Sequence, residues 1–142
     1  MESVIHPPLR DHSYRILTVD DNPLATELIQ ISLEEIGHYK VLQINDPNSA
    51  VIAALDFEPD LVVMDVQMPH LDGRAAALLI QSEERLKDIP ILFVTSMIPE
   101  ESDDVQNPFG WFGPLQKPVS PRRLARVVES ILKHGTIEAP AA

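Results

Sequence analysis

No cysteine occurs in the 142 residues, which excludes a disulfide framework, a catalytic thiol and a thiolate metal site, and fits a reducing compartment. Basic residues are scarce as well: 11 Lys and Arg stand against 22 Asp and Glu, for a formal net charge of -11. A surface that binds a polyphosphate backbone needs the opposite excess. A role on DNA would therefore pass through a partner. No apolar run approaches the roughly 18 residues of a spanning helix. The opening Met1-Glu2-Ser3-Val4-Ile5-His6-Pro7-Pro8 has an early acid and two prolines where a signal peptide needs a basic start and an apolar stretch. The expectation is a cytoplasmic chain without membrane or direct nucleic-acid partners.

What is present is a set of short apolar runs at residues 16–19, 40–44, 61–64, 91–94 and, more loosely, 109–115. Only 40–44 alternates cleanly, and continuous apolar runs of this length suit strands covered on both faces. A capping residue followed by proline marks a helix start three times, at Asn22-Pro23, Asp46-Pro47 and Ser120-Pro121. Proline fits the first helical position, whose N–H has no intrahelical partner, while the side chain before it caps a neighbouring free N–H. Helices are predicted over 23–36, 47–57, about 73–84 and 121–133. In the first, Leu24, Leu28 and Ile31, with Ala25, Ile29 and Leu33 beside them, form a wide apolar face that predicts deep packing on the sheet. One more short helix is expected between Thr95 and Pro108, where Pro99 and Pro108 bracket the acidic Glu100-Glu101-Ser102-Asp103-Asp104. Residues 1–13 read as a flexible lead-in and 135–142 as a flexible tail or the start of a linker. One domain remains, over 14–134. Alternating strands and helices joined by right-handed crossovers give an α/β three-layer sandwich, a parallel sheet with helices on both faces.

In such a sheet Asp20, Asp21, Asp65, Thr95 and Lys117, each at or just past the end of an apolar run, share the carboxyl edge, where open parallel sheets bind ligands. Alone, Asp20-Asp21 before Asn22-Pro23 would read as helix-start acids favoured by the macrodipole, Asp65 as a turn cap, and Lys117 as a solvated lysine. Together they describe a site. Three neighbouring carboxylates repel one another, which raises at least one pKa and favours capture of a hard cation such as Mg²⁺.

These residues carry a resemblance to the receiver domain of two-component response regulators, the chemotaxis-protein-like form of the flavodoxin-type fold. Its motifs here are Asp20-Asp21, Asp65 with Met68-Pro69 and Asp72-Gly73, Thr95-Ser96, and Lys117-Pro118, in order and at the family's usual spacing. The resemblance implies a five-stranded sheet of order 2-1-3-4-5 with the fifth strand at one edge. It also implies that Asp65 is the phosphoacceptor, that Asp20, Asp21 and Asp65 bind Mg²⁺ or Mn²⁺ with the backbone carbonyl of Gln67, and that Thr95 and Lys117 contact the phosphoryl oxygens. The implied partners are a histidine kinase or phosphotransfer protein and an output domain or downstream protein, with room for a homodimer. The implied role is that of a signalling phosphoacceptor which assists its own phosphorylation and dephosphorylation, rather than an enzyme. Lys117-Pro118 is expected to be cis.

One position departs from the pattern. Most receivers carry a Tyr or Phe three residues before the lysine, where this chain has Pro114. Phe112 shares the alternation parity of that position and Trp111 points the other way, but Phe112 lies about 6.6 Å further back, which argues against the usual coupling to Thr95. The five histidines show no ligand spacing and read as surface residues; His70, in the loop after Asp65, is the one placed to influence access to it. The alternative reading is a phosphorylation-independent interaction module. A haloacid-dehalogenase-like phosphatase would want a second acid where Gln67 stands, and a flavin binder would want a Gly- or Ser-rich cradle where the acidic pair stands.

Overall fold

The computed structural model describes residues 13–69, 71–97 and 110–137. The main sheet is built from β1 (Arg15–Val19), β2 (Lys40–Ile44), β3 (Leu61–Asp65), β6 (Ile91–Thr95) and β7 (Trp111–Gln116) in the order β2-β1-β3-β6-β7, all parallel. This is the expected 2-1-3-4-5 order, with the numbering raised by a small antiparallel ribbon, β4 (Gln67–Met68) and β5 (Leu71–Asp72). Strands β3 and β6 are buried along their whole length, as their unbroken apolar sequence requires. On one face Leu17, Val19, Val62, Met64 and Phe93 pack with α2 (Ala50–Phe57) and α3 (Gly73–Gln81). On the other, Ile16, Val63, Leu92 and Val94 pack with Leu33 of α1 (Pro23–Ile36) and with Leu124, Val128 and Ile131 of α4 (Pro121–His134).

All three Pro-marked starts fold as capped turns. Asn22 Oδ1 accepts from Leu24 N–H at 3.0 Å, Asp46 Oδ1 from Asn48 N–H at 3.0 Å and Ser120 Oγ from Arg123 N–H at 3.2 Å. The second differs from expectation, because residues Pro47–Ser49 form a 3₁₀ turn before α2 begins at Ala50. The third helix ends at Gln81 rather than near 84, and a separate 3₁₀ turn, Glu84–Leu86, buries Leu86. Past α4, Ser130 Oγ donates to Thr136 O and Ile137 packs on the α1/α4 side of the core.

The apolar face predicted for α1 is corrected. Leu24, Leu28 and Ile31 are 62%, 55% and 45% exposed, whereas Thr26, Ser32 and Leu33 are buried. At about 100° per residue Leu24 lies on the opposite side of the helix from Leu33, so these leucines form an outward stripe. In the last strand Trp111 and Phe112 face opposite ways, as expected, but the alternation breaks beyond them. Gly113 has φ 88°, and the register against β6 slips between Leu92 and Val94, so Phe112 and Leu115 fall on the same side, with α1 and α4. Trp111 packs on the other side, edge-on to Phe93 at 5.1 Å, and its indole N–H donates to Gln81 Oε1 at 2.9 Å. The Gly113-Pro114 and Lys117-Pro118 bonds are both cis, the second as expected. The expected helix between Thr95 and Pro108, His70, Phe109, most of the lead-in and the last five residues lie outside the described residues.

Candidate functional site

Five chain segments meet at the carboxyl edge of the sheet. Asp20 follows β1, with its N–H still bonded to Ile44 O of the neighbouring strand at 3.1 Å, and its carboxylate accepts from Asn22 N–H at 3.0 Å. Asp65 is the last residue of β3, and its Oδ1 accepts from Gln67 N–H at 3.3 Å. Asp20 and Asp65 are 1% and 4% exposed, while Asp21 is open to solvent. One carboxylate oxygen from each of the three lies within 4.8 Å of the others.

Lys117 supplies the counter-charge. Its N–H donates to Thr95 O at 2.7 Å, which fixes the end of β7 to β6, and its ammonium stands 2.5 Å from Asp20 Oδ2 and 3.4 Å from Asp65 Oδ1. The closer partner is Asp20. Burial, and then the Asp20 charge, push the Asp65 carboxyl up to about 6, against the opposing pull of Lys117 and of Gln67 N–H. A pair of buried acids with one shared ammonium is under-compensated, and an all-oxygen cluster of this size suits Mg²⁺ or Mn²⁺.

Thr95 ends β6, and its hydroxyl accepts from Met97 N–H at 3.1 Å. Alternation from Phe93 turns Thr95 toward the α2/α3 side of the sheet, the side that Phe112 does not occupy. Gly73, the first residue of α3, is positioned by contact. A Cβ built there would lie 2.0 Å from Asp65 O, so only glycine lets the helix start this close to the acid. Asp72 caps the same turn through Arg74 N–H at 2.7 Å.

Among the predicted residues, Asp20, Asp21, Asp65 and Lys117 converge, Thr95 lies on the adjoining strand end, and Gln67 touches Asp65 through its N–H. Sequence reading passed over Thr26 and Asn45, which hold the backbone beside Asp20. The one available signal was a hydroxyl residue, Thr26, in the first turns of the helix beside the acidic pair.

The family model of the response regulator receiver domain matches residues 16–129. The chain is similar to the sensor protein GacS of Pseudomonas syringae pv. syringae, 40% identical over 129 residues, which covers 87% of this chain and 14% of GacS. It is also similar to the alkaline phosphatase synthesis transcriptional regulatory protein PhoP of Bacillus subtilis, 35% identical over 128 residues, 89% of this chain and 52% of PhoP. It thus spans a small part of the first and about half of the second. Among solved structures, chemotaxis protein CheY4 of Vibrio cholerae matches with a TM-score of 0.75 at 25% identity, over 84% of this chain and 98% of that one. The receiver domain of the sensor histidine kinase PA1611 from Pseudomonas aeruginosa, which has a magnesium ion coordinated in its active-site cleft, matches with a TM-score of 0.71 at 28% identity, over the same shares. These relatives favour a phosphoacceptor over a phosphorylation-independent module. With a matching family model over most of its length and the expected strand order around the acidic cluster, the chain belongs to the response regulator receiver domain family of two-component signalling.

Proposed function

We propose that this chain acts in the cytoplasm, where Asp65 accepts a phosphoryl group from a histidine kinase or phosphotransfer protein, and that the phosphorylated form is read by an output domain or downstream protein. The observation that carries this reading is the clustering of the Asp20, Asp21 and Asp65 oxygens within 4.8 Å, with the Lys117 ammonium 3.4 Å from Asp65. Asp20, Asp21, Asp65 and the backbone carbonyl of Gln67 would hold Mg²⁺ or Mn²⁺. When bound, the cation supplies positive charge against the repulsion between a carboxylate and an incoming phosphoryl group.

The remaining chemistry belongs to the chain. An Asp65 oxygen attacks phosphorus, the O–P bond forms as the P–N bond to the donor imidazole breaks, and the bonding pair leaves on nitrogen. The backbone N–H of Gln67 and the short ribbon behind it hold the Asp65 carboxylate in place. Lys117 offsets the charge of the new acyl phosphate, and the Thr95 hydroxyl, whose hydrogen is not used by Met97, donates to a phosphoryl oxygen. The same groups would assist hydrolysis by positioning the phosphoryl group for water. The outward stripe of Leu24, Leu28 and Ile31 starts one turn from Asp21 and gives a protein donor an apolar face to dock on.

Incubation of the full chain with acetyl phosphate and Mg²⁺, followed by phosphate-affinity electrophoresis, tests the reading. A retarded band in wild type that is absent from Asp65→Asn is expected. No retarded band in wild type would overturn the assignment.

A further inference from the structure

Asp20 is held by more than its own strand. The ladder between β1 and β2 ends at the pair Val19 and Ile44, and Asp20 N–H makes one last bond to Ile44 O. Its carbonyl lies beyond the ladder and is taken by a side chain, Asn45 Nδ2, at 2.8 Å. The same amide nitrogen donates to Thr26 Oγ1 at 2.9 Å. Thr26 is on α1 and has no exposed surface. Its hydroxyl accepts from Asn45, and its single hydrogen lies between Gln43 Oε1 at 2.7 Å and Pro23 O at 3.0 Å. Gln43 Nε2 in turn donates to Gln30 Oε1, and Gln30 Nε2 to Glu34 Oε2 at 3.0 Å. Apart from the Asn45 bond to the Asp20 carbonyl, every donor in the series points away from Asp20, so the polar row is satisfied with no conflict between hydrogens.

Three carboxylates crowded together tend to move apart, and the cheapest way for Asp20 to leave the cluster is rotation of the peptide that follows it. Its N–H, its Oδ1 and its Oδ2 are tied by Ile44, Asn22 and Lys117. Lys117 is a movable partner. The carbonyl is the remaining freedom, and Asn45, itself clamped by Thr26, removes it. Resting on the proposed cation site, we infer that Asn45 and Thr26 are positioning residues which pre-organise Asp20 for a divalent cation. Neither touches the ion. They act by fixing the backbone that carries one ligand, as partners behind a ligand commonly tune metal affinity.

The test is calorimetric titration of the full chain with Mg²⁺ alone, alongside amide hydrogen exchange in EDTA. Thr26→Val removes the hydroxyl at constant shape, Thr26→Ser retains it, and Asn45→Ala removes the donor. Thr26→Val and Asn45→Ala are expected to weaken Mg²⁺ binding about tenfold, the scale of losses behind metal ligands, and to speed exchange of the Asn22 amide. Thr26→Ser should bind within about twofold of wild type. Wild-type affinity in both Thr26→Val and Asn45→Ala, with wild type itself binding Mg²⁺, would overturn the positioning role and leave the cation site standing. Absence of Mg²⁺ binding by wild type would overturn both. Because Thr26→Ser and Thr26→Val are each compared with their own thermal melts, a general loss of fold is told apart from a loss of ligand geometry.

Discussion

Burial and the Asp20 charge raise the Asp65 carboxyl to about 6, so near neutral pH the metal-free fold holds an ionised acid that its surroundings disfavour. In the unfolded chain an Asp titrates near 3.9. Between about pH 4 and 6 the folded state therefore binds more protons than the unfolded state, and this residue's contribution to stability falls as pH rises through that window. Below about 4 the stabilisation is fully present; above about 6 it is gone. Two units correspond to at most about 3 kcal/mol, and screening by solvent that reaches the site beside the exposed Asp21 brings this to about 1–2 kcal/mol. Asp65→Asn in EDTA is expected to unfold at higher urea concentration than wild type at pH 7.5, by that amount, with a smaller gain at pH 5. A gain of equal size at both pH values would refute the charge argument. At Gly73 the cost is steric. Gly73→Ala places a methyl carbon against Asp65 O and the Val66 backbone, neither of which is a flexible side-chain end. A loss of more than about 2 kcal/mol is expected, with a matching drop in acetyl phosphate labelling, because relief of the clash must displace Asp65.

At the scale of elements, the edge strand β7 is tied to the rest of the molecule by Trp111, whose ring meets Phe93 and whose N–H reaches Gln81 at the end of α3. Trp111→Phe keeps an aromatic ring and deletes that hydrogen bond, for an expected loss of about 1 kcal/mol in a urea melt; an unchanged midpoint would show that the bond adds nothing to the strand's attachment. Trp111 pairs with Ile91, four residues before Thr95, roughly 13 Å along the strand, so it anchors the strand and is not the switch aromatic that Pro114 replaces. The elements that sequence predicted well are those governed by local chemistry. Asn22, Asp46 and Ser120 cap their turns through their own side chains, and Asp65 ends a strand whose burial is written in an unbroken apolar run. The inward face of α1 was not legible because Thr26 and Ser32 conceal their polarity: the Thr26 hydrogen lies between Gln43 Oε1 and Pro23 O, and the Ser32 hydroxyl donates to Leu28 O of its own helix, which lets them be buried where leucines were expected. The break in alternation after Phe112 was hidden for another reason. Alternation holds only while register holds, and the slip beside Gly113 reverses it.

For the whole molecule, the acidic crevice and the outward face of α1 form one continuous surface. A small groove of about 180 Å³ lies between them, bordered by Leu28, Ile29, Val94, Lys117 and Leu124, so the apolar stripe leads directly to the lysine beside Asp65. A small phosphodonor needs only the crevice. A protein donor must also bring its phosphohistidine in line with Asp65, and the surface it can press against during that approach includes Leu24, Leu28 and Ile31. The two donors therefore separate docking from chemistry. Leu28 is 55% exposed, so Leu28→Arg should change stability by no more than about 0.5 kcal/mol and should leave acetyl phosphate labelling at the wild-type level. Phosphotransfer from a kinase that labels wild type should fall at least tenfold, since a charge placed in the centre of an apolar contact is desolvated without a partner. Equal losses with both donors would place Leu28 within the reacting site itself, and undiminished transfer from the kinase would move the docking face away from α1.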